Sequence, residues 1–416
     1  MKKHILVISQ YFYPEQFRIN DICKEWVKRG YKVTVVTGIP NYPQGKFYDH
    51  YGLFKRKRET YNGINIVRIP IVPRGKNSIM LAINYLSFVV SGCLWKCFTR
   101  IKADYVFIYE VSPMTQALPG IWYARKQQIP CYLYVTDLWP ENVEIVAGIK
   151  NKMILNIIGA MVDYIYKRCD RIFTSSNSFI KAINERGVKH DKLEFWPQYA
   201  EDFYLPIDKA SVNIQEIPSD GAFNIIFAGN IGVAQGLDIL SKTAQILKQK
   251  NIKVRFNIVG DGRYKNALIS STKECDVSEM FNFVDKQPAT RIPYFMAKCD
   301  AALICLSKSK VFSITLPAKL QSCLACGIPI IVSADGEIQE VIRKAEAGVC
   351  SNAGDAVMLA AKICELVGKS SSELEQMSRN ALEYSKTYFN KENLLNKMDI
   401  YFKGKQIKMT GDKEYV

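Results

Sequence analysis

The chain starts a βαβ unit twice, and this repeat limits the possible folds more than any other feature of the sequence. Residues 4–9 (HILVIS) form an apolar run of buried-strand type. The loop QYFYPEQFRIN follows, then an amphipathic stretch over 21–29, a glycine at 30 and a second strand over 31–37. Strand, loop, helix, glycine and strand in that order imply a parallel sheet. The pattern continues through strands at 105–109, 131–135 and 171–175, each preceded by a helical stretch. It begins again at 223–228 (FNIIFA), with a helix over 237–249 and strands at 254–259, 301–306 and 328–333. A chain of 416 residues also exceeds what one ordinary core serves. The expected architecture is α/β, with two Rossmann-like, doubly wound domains facing a central cleft. Residues 1–205 make the first and 206–385 the second, with the break in the polar, proline-bearing segment 202–221. A C-terminal helix over 386–403 can cross back onto the first domain, and 404–416 reads as a disordered tail. Ligands of such sheets bind beyond the carboxyl ends of the strands.

One stretch of the second domain, 311–341 (VFSITLPAKLQSCLACGIPIIVSADGEIQEV), reads as loop, short helix, turn, buried strand and a second helix start. Pro317 suits a first helical turn, where its missing N–H would be unpaired anyway. Gly327 ends that helix and Pro329 prevents its continuation. Lys319 falls in the first turn, among unpaired amides at the positive end of the helix dipole. A cation there is out of place unless an anion joins it. The plain alternative is a solvated surface lysine. The loop after the 223–228 strand reads Gly229-Asn230-Ile231-Gly232-Val233-Ala234-Gln235-Gly236 and leads straight into a helix. Its glycines let backbone approach a phosphate, and the helix start supplies amides. It is neither a P-loop nor the spaced G-x-G-x-x-G of dinucleotide binders. Taken alone, a tight structural turn explains it as well. Val259-Gly260-Asp261-Gly262 adds a second turn at the same sheet edge.

The composition is that of an ordinary globular chain, with 48% hydrophobic and 23% charged residues. The net charge of +16 is uneven: 1–205 holds 29 Lys+Arg against 17 Asp+Glu, and the remainder 27 against 23. A basic first half suits an anionic membrane surface or a polyanionic partner. The 12 cysteines lack the spacing of a secreted disulfide framework, so the cytosol is the expected compartment. The start, MKKHILVISQYF, has too short an apolar core for a signal peptide. Residues 79–98 are about as long as a bilayer span, but Asn84, Ser87, Ser91, Gly92 and Lys96 interrupt them. A buried or surface-attached helix fits those interruptions better, which makes the expected protein peripheral rather than integral.

Four stretches, SQYFYPE, GNIGVAQGL, IVGDG and LPAKLQSCLACGIPI, span nearly the whole chain. Through them it resembles the family-4 glycosyltransferases of the GT-B fold. PNYPQGK (40–46), TDLWPE (136–141) and LPAKLQSCLACG make it most similar to the bacterial surface-polysaccharide branch that includes L-fucosamine transferases. The resemblance implies a retaining transferase acting on a UDP-sugar, with N-acetyl-L-fucosamine or a related N-acetylhexosamine as the sugar. It implies front-face attack, the leaving phosphate helping to take the acceptor proton. By position, Gly229, Asn230, Gly232, Gln235 and Gly236 hold the donor diphosphate, together with the helix start at Lys319 and with Ser322. Asp261, Gly262 and the segment 287–291, Arg291 included, approach the nucleotide. Asp137 falls near the reacting sugar, so Asp137 and Lys319 are the catalytic candidates. Many relatives have Arg and Lys where this chain has Asn230 and Gln235, and an E-x7-E pair where it has Ile314 and Ser322. Lys319 is then the main side chain available to balance the diphosphate. Arg18 and Glu141 are the candidate acceptor contacts, and Lys55, Arg56, Lys57 and Arg58 the membrane contacts. The implied partners are a lipid-diphosphate-linked saccharide and an anionic membrane surface, not nucleic acid. The implied location is the cytoplasmic face of the cell membrane, with no metal and no cofactor beyond the UDP-sugar.

Plainer readings stand beside these. His4, His50 and His190 have no metal-ligand spacing. Asp137 and Glu141 flank Pro140, so a capped turn explains them, and 55–58 can be a solvated charged loop. Two rival functions remain. A nucleotide-sugar 2-epimerase shares the fold but needs no acceptor surface. A basic nucleic-acid-binding protein would explain the charge, although no recognition motif accompanies it.

Overall fold

The apolar runs become the strands of two sheets in a computed structural model that describes residues 2–75, 77–146 and 148–403. By contacts the chain divides into two units. One holds the described residues up to Trp196 and those from Asn396, and the other is Pro197–Leu395. The seam thus lies earlier than the segment 202–221 suggested. A short strand ending at Phe195 hydrogen-bonds to the first sheet, and Pro197 cannot donate to the ladder beyond it.

The strands of the first unit are β1 (His4–Ile8), β2 (Lys32–Thr37), β3 (Arg58–Tyr61), β4 (Ile64–Arg68), β5 (Tyr105–Glu110), β6 (Cys131–Val135), β7 (Arg171–Thr174) and β8 (Leu193–Phe195). Their order is β3-β4-β2-β1-β5-β6-β7-β8, parallel apart from the β3–β4 hairpin. That hairpin turns on Asn62 and Gly63, both at positive φ (48° and 79°), the Asn-Gly pairing that a two-residue turn requires. Every residue of β1, β5 and β6 is buried, and a strand covered on both faces reads as an unbroken apolar run. The direction of winding reverses between β1 and β5, so the loops after these strands border the switch point where open sheets bind ligands. Residues of the Lys391–Lys403 helix from Asn396 onward pack in this unit. Phe402 lies 5.2 Å from the Trp26 ring and 5.5 Å from that of Tyr31. Asp399 accepts hydrogen bonds from Arg29 and from the Tyr31 hydroxyl, each at 2.9 Å. The expected tail, 404–416, lies outside the described residues.

The second unit contributes β9 (Phe223–Asn230), β10 (Val254–Asp261), β11 (Phe281–Val284), β12 (Ala301–Cys305), β13 (Ile330–Ser333) and β14 (Gly348–Ser351). The order is β11-β10-β9-β12-β13-β14, all parallel. Alternation along the strands builds a core on each face. Ile226, Ile304 and Val332 meet Leu320 and Leu324 on one side, while Ile225, Phe227 and Leu303 meet Leu240 and Leu359 on the other. Here the switch falls between β9 and β12.

Candidate active site

At the second switch point β9 runs past its expected end to Asn230, its last residues pairing Gly229 with Gly260 and Asn230 with Asp261. A Cβ at Gly260 (φ 149°) would stand 2.0 Å from the Gly229 carbonyl oxygen, so only glycine lets these two backbones meet. The loop does not lead straight into a helix, as its sequence suggested. It forms 3-10 turns at Val233–Gln235 and Leu237–Ile239, and the α-helix begins at Leu240. Gly236 breaks the run at φ 58°, where a Cβ would fall 2.9 Å from the Ser307 backbone nitrogen. The Ser307 N–H donates to the Ala234 carbonyl at 3.1 Å, fastening the loop to the chain after β12.

Lys319 approaches this loop from the helix Ala318–Cys326. Pro317 is extended (φ −72°, ψ 137°) and caps that helix rather than entering its first turn. Gly327 closes the helix in a left-handed conformation at φ 64°. Lys319 is half-buried, yet its ammonium is enclosed. It donates to Gln235 Oε1 at 2.8 Å and stands 4.1 Å from the centroid of the Phe227 ring. A Cβ at Gly229 would be 3.6 Å from it. Burial pushes the Lys319 amine down to about 8, against the opposite pull of Cys305 and Cys323. Ser322 lies buried one turn along the same helix face. Asn230 and Asp261 are exposed, and Asp261 Oδ1 accepts the Gly262 N–H at 2.8 Å. Arg291 is already matched, by Glu216 at 2.9 Å, in a cavity of about 430 Å³ lined with Asn213 and Gln215.

A pH dependence follows from Lys319. Its folded value is lowered from 10.5 to about 8, so the cost of keeping it charged in the unliganded protein sets in as pH falls from 10.5 to about 8. An anion bound beside it restores the charge. The affinity of an anion bound there is therefore expected to fall as pH rises through 8, with a proton uptake on binding that approaches one above that pH. Calorimetry in buffers of different ionisation enthalpy measures that proton, and Lys319→Met should abolish it. A pH-independent affinity in the unaltered protein would contradict the assignment.

In the first unit Asp137 follows β6, beside the chain that leaves β5. Its Oδ2 accepts the Ser112 N–H at 2.9 Å and the Ser112 hydroxyl at 2.7 Å. The Trp139 indole N–H donates to Ser112 Oγ at 3.1 Å. The Asp137 N–H points to Glu110 Oε2 at 3.3 Å. Glu110 is fully buried, and that burial, aided by the charge of Asp137, holds its carboxyl well above the usual range. Asp137 and Glu141 share no helix. Pro140 lies between them, and Glu141 opens the helix Glu141–Val146 with one enclosed carboxylate oxygen lacking a hydrogen bond. Arg18 is half-buried at the start of the Arg18–Lys28 helix, near Tyr134. Ser112 and Glu110 escaped the sequence reading because they lie far from Asp137 along the chain. The β5–β6 register, which pairs Glu110 with Val135, is the signal that places them together.

Lys55, Arg56, Lys57 and Arg58 are exposed, next to an exposed Leu53 and Phe54. The Ser78–Phe98 helix, by length and composition, is able to cross a membrane. Within the first unit it buries Asn84, Phe88 and Gly92 and exposes Ile79, Ile83, Leu86, Val90, Leu94 and Phe98. Three of its interruptions, Asn84, Ser87 and Gly92, turn inward. Asn84 accepts from Gln10 Nε2 at 2.7 Å, and Ser87 Oγ accepts the Val72 N–H at 2.9 Å.

Comparison with known proteins agrees with these two halves. The profile Glycosyltransferase Family 4 matches residues 17–198, and Glycosyl transferases group 1 matches 211–384. WcaI of Escherichia coli K12, a glycosyl transferase named for colanic acid biosynthesis, is 25% identical over 348 residues, 80% of this chain and 83% of that protein. The structure of sucrose-phosphate synthase from Thermosynechococcus elongatus superposes with a TM-score of 0.76 at 14% identity, over 97% of this chain and 99% of that one. HepE of Anabaena, in complex with UDP and glucose, does so with 0.70 at 14% identity, over 97% and 100%. These structures share the fold. Two α/β units with parallel sheets, each matched by its own transferase profile, make this chain a GT-B glycosyltransferase that joins a Family 4 domain to a group 1 domain.

Proposed function

We propose that this glycosyltransferase is a retaining enzyme of capsule or O-antigen synthesis. It takes a sugar from a UDP-sugar, N-acetyl-L-fucosamine or a related N-acetylhexosamine, and adds it to a saccharide carried on a lipid diphosphate. The observation that carries this reading is the ammonium of Lys319, which lies over loop 229–236 with no carboxylate partner among the described residues. A diphosphate supplies the missing anion, and the amides of the loop and of the helix start complete its site. That HepE was obtained with UDP and that WcaI is named for colanic acid biosynthesis both favour the reading. As the sugar–phosphate bond opens, negative charge collects on the departing diphosphate, where Lys319 stabilises it without a metal ion. The departing oxygen takes the proton of the acceptor hydroxyl on the same face. Asp137, whose carboxylate Ser112 holds in place, is the proposed contact of the reacting sugar. The direct check is a screen of UDP-sugars with a short-chain lipid-diphosphate monosaccharide as acceptor. A disaccharide product is expected. An epimerised UDP-sugar formed without acceptor would favour the epimerase, and no product from any donor would end the proposed pairing of UDP-sugar and lipid-diphosphate acceptor.

The acceptor's tail keeps the reaction at the inner face of the membrane. The first unit suits that surface through its basic excess, the run 55–58 and the outward apolar face of the Ser78–Phe98 helix. Each basic residue near an anionic leaflet contributes about 1 kcal/mol. The protein should therefore pellet with membranes, leave them in high salt or mild detergent, and prefer anionic to neutral vesicles. Changing Lys55, Arg56, Lys57 and Arg58 together to Ser should weaken vesicle binding and spare turnover on a soluble short-chain acceptor. Extraction only by full solubilisation would show a spanning helix instead.

A further inference from the structure

Arg74 lies between β4 and the Ser78–Phe98 helix, against the loops that follow β1 and β2. It is half-buried, and its partners are few. Its backbone N–H donates to Asn41 Oδ1 at 2.9 Å, and its guanidinium donates to the Tyr11 hydroxyl at 3.2 Å. The guanidinium carbon stands 5.2 Å from the centroid of the Tyr42 ring. Tyr11 and Tyr42 meet each other at 5.6 Å and both pack on Phe17, at 5.3 and 5.4 Å. Glu15 pins this wall, its Oε1 accepting the backbone N–H groups of Asn41 at 2.8 Å and Tyr42 at 2.6 Å.

Among the described residues no carboxylate pairs with Arg74. Arg68, in the same unit, is by contrast matched by Glu59. A guanidinium carries five N–H donors in a fixed fork, and here a single side-chain partner, Tyr11, is met. A cation drawn partly out of water without a counter-ion costs free energy. The Tyr42 face returns some of it, and the remaining donors suit an oxyanion, because the planar fork matches phosphate bidentately. The place is also telling. Tyr11 follows β1 at the switch point, and Tyr85 of the apolar helix lies within electrostatic reach of both Arg74 and Asp137. The Tyr85 ring touches that of Trp139, in the Asp137 loop, at 6.4 Å.

The geometry points to Arg74, walled by Tyr11 and Tyr42, as the site for a phosphate of the acceptor's lipid diphosphate. This rests on the reading of the acceptor given above. A tail leaving the site along the Ser78–Phe98 helix reaches the membrane, while the saccharide is held toward Asp137. A phospholipid headgroup offers similar phosphate chemistry, so the test separates the two. The full-length protein, saturated with UDP, is titrated with a ten-carbon prenyl diphosphate. Arg74→Gln should weaken that binding by about 10- to 100-fold, the range of a charge-assisted hydrogen-bond pair. UDP affinity and the melting temperature should hold, Lys319→Met should leave prenyl diphosphate binding unchanged, and Arg74→Gln should not alter binding to phosphatidylglycerol vesicles. If Arg74→Gln does not fold, Arg74→Lys, which keeps the charge and loses the fork, gives the same comparison with a smaller loss. Unchanged affinity in the folded variant overturns the site, as does a loss seen with Lys319→Met instead. Loss of vesicle binding with prenyl diphosphate affinity intact assigns Arg74 to phospholipid and overturns it too. Arg74-dependent binding without transfer to any diphosphate acceptor would sink the proposed acceptor while the anion site stood.

Discussion

Lys319→Ala is expected to lower turnover by about 10²–10³-fold, the usual consequence of removing one group that stabilises charge in the transition state. The charge on the diphosphate grows as the sugar departs, so the loss should appear mainly in kcat. Folding should change little. The variant removes an ammonium held out of water and leaves Gln235, its one hydrogen-bond partner among the described residues, beside an accessible loop. Lys319→Met keeps the stem over Phe227 and separates packing from charge. Thermal melts and turnover on the same preparations decide the matter. Near-normal turnover in both variants would remove Lys319 from the mechanism.

Asp137→Asn should depress transfer by about 10²-fold or more while UDP affinity stays nearly constant. The amide oxygen can still accept from the N–H and hydroxyl of Ser112, so geometry persists and the charge alone is removed. Asp137 belongs to the unit ending at Trp196, whereas loop 229–236 and Lys319 belong to the other. Calorimetry with UDP set beside turnover distinguishes the two effects. Equal losses of UDP affinity and of rate would mean that Asp137 is misplaced here.

The central strands were legible in the sequence because burial on both faces writes itself as an apolar run. β1, β5, β6, β9 and β12 are of this kind. Most of the strands that escaped notice, β3, β8, β11 and β14, are sheet edges, short and partly exposed, where no such run is required. Loop 229–236 and Lys319 were legible as separate pieces. Their contact through Gln235 and Phe227 was not, because it depends on which strands flank the switch point. Ser112 and Arg74 were silent for a related reason. A lone serine after a strand and a lone arginine before a helix carry no pattern until the register brings Asp137, Tyr11 and Tyr42 beside them.

The central claim, transfer from a UDP-sugar with its configuration kept, is tested most directly by proton NMR of the product of a single turnover. The expected product is a glycoside on the lipid-diphosphate acceptor whose anomeric configuration is that of the sugar phosphate in the donor. An inverted linkage, or release of free sugar with the acceptor untouched, would contradict it.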